Sequence, residues 1–212
     1  MSNIEWDIFD WDITLTEPLL GGVPKRKDVY TRYVAMTTGG AEDETFEEVE
    51  EAGWTGFYTD EKGRPCLMDY QIKGYLKEVA NILRPQLGVP NLRSHVENAV
   101  YVFPRKVVIA EHVADEPFER PMRVMTVQGP RTTVARSDYV DAGASFSVEL
   151  RLMRNMKVTE DILRTIVGFG EIRGLGRWRN GSYGRFVSKL TKREDGQRLR
   201  KRLKVKGSAG SS

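Results

Sequence analysis

Cysteine and histidine are nearly missing from this chain of 212 residues, which holds Cys66, His95 and His112 and no others. A lone cysteine excludes an internal disulfide and a multi-thiolate zinc site, and it suits a reducing, cytoplasmic compartment. Two histidines leave little material for a metal centre or a catalytic triad, so neither metal nor cofactor is expected. No apolar run approaches the ~18 residues that cross a membrane, so no membrane partner is expected. The opening "MSNIEWDIFDWD" is acidic and aromatic, unlike a secretory signal.

Apolar residues make up 40 % of the chain, enough for a sizeable core. One domain is expected over residues 1–190, with insertions at about 22–66 and 113–142. The net charge of +3 is unevenly spread. Residues 173–206 hold 13 Lys or Arg against Glu194 and Asp195, while "EDETFEEVEE" at 42–51 carries seven carboxylates. A basic C-terminal third is the footprint of a polyanionic partner, although a solvated tail also explains the basic segment 191–206. The final "GSAGSS" (207–212) reads as a linker- or tag-like tail.

Hydrophobic spacing divides the domain into elements. "IEWDIFDWDITLTEPLL" alternates, with a phase slip between Ile8 and Phe9 that predicts a bulged or late-starting strand. "DYQIKGYLKEVANILR" puts Ile72, Leu76, Val79 and Leu83 on one helical face, with Asp69 as N-cap. Gly74 inside it implies close packing or close approach of a ligand, since glycine costs about 1 kcal/mol there relative to alanine. "AVYVF" and "KVVIA" flank Pro104, and "RVMTVQ" and "RTTVA" form a hairpin arm. "ASFSVELRLM" alternates cleanly, "VTEDILRTIVGFG" is a helix capped by Thr159, and "YGRFVSKL" is a last strand. Strand, helix, strand, strand, helix, strand is the α+β, ferredoxin-like βαββαβ order.

The stretch "GFGEIRGLGRWRNGSYGRF" lies between the second helix and the last strand. Gly174-Leu175-Gly176 is not a dinucleotide fingerprint, because that motif follows a strand and opens a helix. Glycines here, Gly176 and Gly184 among them, let a ligand's backbone pass close or adopt positive φ. Bulky substitutions are therefore expected to harm binding more than folding. Arg173, Arg177, Arg179 and Arg185 suit phosphates, and Trp178 and Tyr183 suit bases. A turn that merely packs the sheet edge is the plainer alternative.

These residues resemble the repeat-associated mysterious protein (RAMP) superfamily of CRISPR-associated RNA-binding proteins. "ITLTEPLLGG" is similar to that family's first strand and turn. "DEKGRPCLMDYQIKGYLKEV" resembles its loop leading into a Lys-Gly helix start, here Lys73 and Gly74, with Gln71 where a small hydroxyl residue is common. "GLGRWRNGSYGRF" resembles its glycine-rich loop, and "GPRTTVARSDYVDAGASFSVELRL" its guide-binding backbone subunits. The resemblance implies a modified RNA-recognition fold that grips single-stranded guide RNA through phosphates and shape. It implies as partners further copies of the chain, stacked head to tail, and other CRISPR complex subunits. By the same resemblance, Lys73, Arg173, Arg177 and Arg179 touch phosphates. Gly74, Gly174 and Gly176 admit the RNA backbone, and residues 113–142 supply a base-displacing thumb with Met125, Arg131 and Arg136.

Two other classes remain open. Relatives that process RNA often use a histidine near the first helix as general base, and residues 60–86 hold none. Relatives that cleave target RNA use an aspartate after the first strand. Asp28 sits in that region and is the candidate catalytic residue of a metal-dependent endoribonuclease. The other alternative is a protein-interaction module or inhibitor that mimics such a subunit.

Overall fold

The computed structural model describes residues 5–25, 54–126 and 129–193. Its central sheet holds β1 (Trp6–Leu15), β7 (Val100–Phe103), β12 (Ser145–Met153) and β13 (Phe186–Lys192) in the antiparallel order β13-β1-β12-β7. One face is covered by α1 (Asp69–Leu87), α2 (Leu92–Ala99) and α3 (Glu160–Gly168). This strand order, with helices between the first and second and between the third and fourth strands, is the ferredoxin-like α+β fold.

The first strand runs unbroken, in register with β12 from Trp6 opposite Met153 to Thr14 opposite Ser145. No bulge separates Ile8 from Phe9, contrary to the expected phase slip. Phe9, Trp11, Ile13 and Leu15 face the helices and are buried. Trp6 and Ile8 belong to the opposite face, where the Trp6 ring meets Tyr101 edge-on at 5.3 Å. Trp11, Tyr75 of α1 and Phe186 of β13 form the aromatic centre of the core, with ring centroids 5.5 to 6.1 Å apart.

Helix α1 begins one residue earlier than expected. Met68 occupies the N-cap position, and its amide donates to the Gln71 side-chain oxygen at 2.8 Å. Asp69 lies in the first turn, where its carboxylate accepts from the Tyr70 amide. Gly88, at φ 64, closes the far end by donating to the Arg84 carbonyl. Helix α2, to which spacing assigned no element, buries Leu92, Val96 and Ala99 at helical intervals. Thr159 caps α3 as expected, accepting from the Ile162 amide.

The excursions from this core knit together. Strands β2 (Leu19–Leu20) and β3 (Val23–Pro24) follow β1, while β4 (Thr55–Gly56), β5 (Tyr58–Thr59) and β6 (Pro65–Met68) lead into α1. Strand β8 (Lys106–Val108) pairs with β6. A long hairpin of β9 (Phe118–Thr126) and β10 (Gly129–Ser137) projects from the second excursion, followed by β11 (Tyr139–Val140), which pairs with β2. The hairpin is anchored at its root by Asp138, whose buried carboxylate accepts from Trp54 Nε1 at 2.9 Å and pairs with Lys25 at 2.9 Å. Among the described residues no helix is long and apolar enough to cross a membrane.

The glycine loop is sewn onto β2 by its own backbone. Leu175 donates to the Gly184 carbonyl, Gly184 to Pro18 and Arg177 to Leu20, at 2.8 to 3.0 Å. A Cβ on Gly184, at φ 69, would lie 2.1 Å from the Leu175 carbonyl oxygen. One on Gly176, at φ 74, would lie 2.6 Å from the Leu20 oxygen, and one on Gly174 2.3 Å from that of Tyr183. The expectation that bulk at Gly176 or Gly184 spares folding is thereby reversed, since the atoms in the way are the protein's own backbone. Overpacking and left-handed strain together should destabilise Gly184→Val by about 3 kcal/mol, lowering Tm by about 10 °C. Gly168→Ala, where a Cβ meets nothing within 4 Å, should leave Tm nearly unchanged in the same thermal melt.

Candidate nucleic-acid interface

The glycine loop presents its side chains in two sets. Arg173 and Arg179 turn inward to Glu78 on α1. Arg173 Nε donates to Glu78 Oε1 at 2.8 Å, and Arg179 Nη1 contacts Oε2. Arg173 also donates to the Asn180 side chain at 2.7 Å. One carboxylate thus braces both ends of the loop's arginine-rich segment, while both guanidiniums keep a quarter or more of their side chains exposed. Glu78 was not a candidate in the sequence analysis. It stands seven residues after Gln71, two helical turns along the same face, and that spacing is the signal that could have found it.

The second set faces outward. Trp178 and Tyr183 stack at 5.1 Å with ring planes 11° apart, and Phe118 at the root of the hairpin packs against both. Trp178 adopts φ 54 and Ser182 φ 70, left-handed conformations that are uncommon away from glycine and tend to mark ligand sites. The Arg120 guanidinium lies over the Trp178 ring at 4.2 Å. Partial burial, and then the neighbouring charge of Arg177, hold Arg120 below the usual arginine range. Arg177 is exposed. Among the described residues neither Arg120 nor Arg177 has a carboxylate partner. Phe118 and Arg120 come from a strand whose sequence gives no sign that its root meets the loop.

The remaining candidates lie elsewhere or serve the fold. Lys73 turns its ammonium to the end of α2, donating to the Val96 carbonyl at 3.1 Å and to that of Val100, with the Tyr101 ring 5.0 Å away. The Arg185 carbonyl accepts from Thr16 and Glu17, and the Arg185 Nε is buried without a hydrogen-bond partner among the described residues. Arg136 pairs across the hairpin with Glu119 at 2.8 Å. Arg131 stands opposite Val124 and Met125 opposite Pro130 near the hairpin's tip. Gly74 lines a cavity of about 410 Å³ between α1 and the glycine loop, with Gly176, Arg177 and Arg179 on its other side. A Cβ at Gly74 would meet nothing within 4 Å, so close packing is not what its absence serves. Asp28, the acidic stretch 42–51 and the basic segment beyond residue 193 lie outside the described residues. His95 is half-buried on α2, and His112 is exposed. No cluster of three metal-ligating side chains occurs among the described residues.

No family model matches the sequence, and no curated protein matches it. Among solved structures, a chain of a Type III-B Cmr-beta complex bound to cognate target RNA shares the fold, with a TM-score of 0.52 and 16 % identity. The match covers 89 % of this chain and 61 % of that one, so the chain spans about three-fifths of its neighbour. A chain of a Type IV-B CRISPR complex aligns at a TM-score of 0.45 and 13 % identity, over 97 % of this chain and 93 % of that one. At 16 % identity the likeness to the Cmr-beta chain is one of fold.

The setting of Lys73 has a pH signature. Burial holds its ammonium down to about 8, against an ordinary 10.5. Between those values the unfolded chain carries a proton that the folded chain has released. The contribution of Lys73 to stability therefore rises as pH rises from 8 to 10.5. Urea midpoints of the wild type should gain on those of Lys73→Met across this window, and parallel curves would show an exposed ammonium instead.

Proposed function

We propose that the chain is an RNA-binding subunit that holds a single-stranded guide RNA within a multisubunit CRISPR ribonucleoprotein. The observation that carries this reading is the pair Arg120 and Arg177, two neighbouring guanidiniums without a carboxylate partner among the described residues, beside the stacked Trp178 and Tyr183. Two guanidiniums with no carboxylate partner among the described residues, Arg120 half-buried and Arg177 exposed, favour an anion beside them, and phosphate matches their forked donors. The adjoining ring faces offer stacking to bases without reading their identity. Phosphate contacts together with sequence-tolerant stacking suit a strand whose sequence varies. The shared fold with a chain of an RNA-bound Cmr-beta complex supports this reading, and so does the long hairpin rooted at the same place.

The roles of the arginines divide accordingly. Arg120 and Arg177 meet phosphate directly, while Arg173 and Arg179, held by Glu78, set the loop's shape and add positive potential around it. Lys73 is assigned to the end of α2 rather than to the RNA.

Titration of single-stranded RNA at several salt concentrations tests the division. Each lost phosphate contact should reduce the log–log salt slope by about 0.7, so Arg120→Ala combined with Arg177→Ala should lose about 1.4. Trp178→Ala should weaken binding by about 1–3 kcal/mol with the slope unchanged. Arg136→Ala, whose charge is already met by Glu119, should behave as wild type. An unaltered slope in the double variant would remove the assignment.

A further inference from the structure

The cavity beside α1 is larger than a phosphate contact requires, and its lining is of another character. Leu20, Phe57, Leu67, Tyr75 and Leu175 form an apolar wall, no carboxylate lines it among the described residues, and Arg177 and Arg179 also contribute to the lining. Its volume of about 410 Å³ falls among ligand-sized pockets. Resting on the RNA-binding reading above, we propose that this cavity receives one unstacked base of the bound strand, whose phosphates stay outside with the arginines.

The chemistry of the lining sorts base from phosphate. A phosphate drawn into an apolar wall would lose its hydration without recovering it, whereas a base has apolar faces and needs polar partners only at its edge. Gln71 supplies that partner. Its side-chain oxygen is engaged by the Met68 amide, which fixes the amide's orientation. The Gln71 NH₂ group is then left without a partner among the described residues, on the cavity lining. Every RNA base carries ring-nitrogen or carbonyl acceptors that such a donor can meet, so the site takes a base without selecting one.

Gly74 is the second observation. Glycine inside a helix costs about 1 kcal/mol relative to alanine. Beyond its chain neighbours and its own helix backbone, no atom of the described residues lies within 4 Å of where its Cβ would stand, so the fold gains no packing from the omission. The space left open is the cavity itself. Gly22 and Gly56 also line the cavity, but a Cβ on Gly56 would stand 2.6 Å from the Asp138 carboxylate and one on Gly22 3.7 Å from the Arg177 Cβ, so of these three glycines only Gly74 faces open space.

A double comparison tests the proposal. Wild type, Gly74→Ala and Gly74→Leu are titrated with a single-stranded RNA and with the same sugar–phosphate chain lacking bases. Gly74→Ala should bind the RNA like wild type, and Gly74→Leu, filling the cavity from the helix side, about tenfold more weakly. On the base-free chain the Gly74→Leu penalty should vanish, because no base remains to be excluded. A penalty of equal size on both strands, or none on either, overturns the base site while leaving RNA binding intact. Failure of the wild type to bind either strand overturns both readings. A free nucleoside monophosphate that saturates the cavity without competing with RNA would make it a small-molecule site instead. Should Gly74→Leu fail to fold, photocrosslinking of 4-thiouridine RNA to the wild type decides: adducts on Phe57 or Tyr75 are expected, and adducts confined to Trp178 and Tyr183 overturn the proposal.

Discussion

The backbone of the glycine loop lies directly against the backbone of the turn after β1, and the candidate interface depends on that contact. Gly184 and Arg177 donate main-chain hydrogen bonds to Pro18 and Leu20 across the seam, Leu175 donates to Gly184 within the loop, and Gly174, Gly176 and Gly184 leave no room for side chains there. Glycine costs conformational entropy on folding, so ordering such a loop requires a return. The return here is twofold. Leu175 and Phe186 at the ends of the seam enter the core, while the residues between them are left on a short arc that directs outward whatever cannot be buried. Gly170 takes part in the same closure, because a Cβ there would stand 2.2 Å from the Phe186 ring.

Charge is partitioned on that arc by a single carboxylate. Glu78 meets Arg173 and Arg179, and in doing so fixes the loop relative to α1. Partly exposed ion pairs contribute little each, but a carboxylate shared by two guanidiniums restricts geometry more than it adds stability. Arg120 of the hairpin and Arg177 of the loop are left without a carboxylate partner among the described residues. The hairpin root, held by Asp138 through Trp54 and Lys25, is therefore part of the same surface. An electrostatic site assembled from two distant chain segments responds to changes in either, and the aromatic stack of Phe118, Trp178 and Tyr183 couples the two mechanically.

Much of the fold was legible before any coordinates. Alternation in "ASFSVELRLM" placed Phe146, Val148, Leu150 and Leu152 inward, and all four are buried. Thr159 and the apolar spacing after it marked α3. Misreadings occurred where tertiary contacts override local pattern. The phase slip in β1 reflects a strand with apolar contacts on both faces, since Trp6 packs on Tyr101 from the far side of the sheet. The N-cap of α1 passed from Asp69 to Met68 because the Gln71 side chain reaches back to cap it. Helix α2 escaped notice because eight residues with three buried positions carry too short a period to stand out.

The site divides along the same line. Composition and spacing alone determined that a basic, aromatic, glycine-rich loop sits between the second ferredoxin helix and the last strand, because periodicity and turn chemistry are local properties of the chain. Only the tertiary structure decided which arginines are spent on Glu78, that Lys73 closes α2, and that Arg120 and Phe118 join the loop. It also decided that the loop's glycines are demanded by the protein's own backbone and that Gly74 opens onto a cavity. Each of these depends on distances between segments far apart in sequence, and a linear pattern carries no information about which charge finds a partner or what a missing Cβ would have touched.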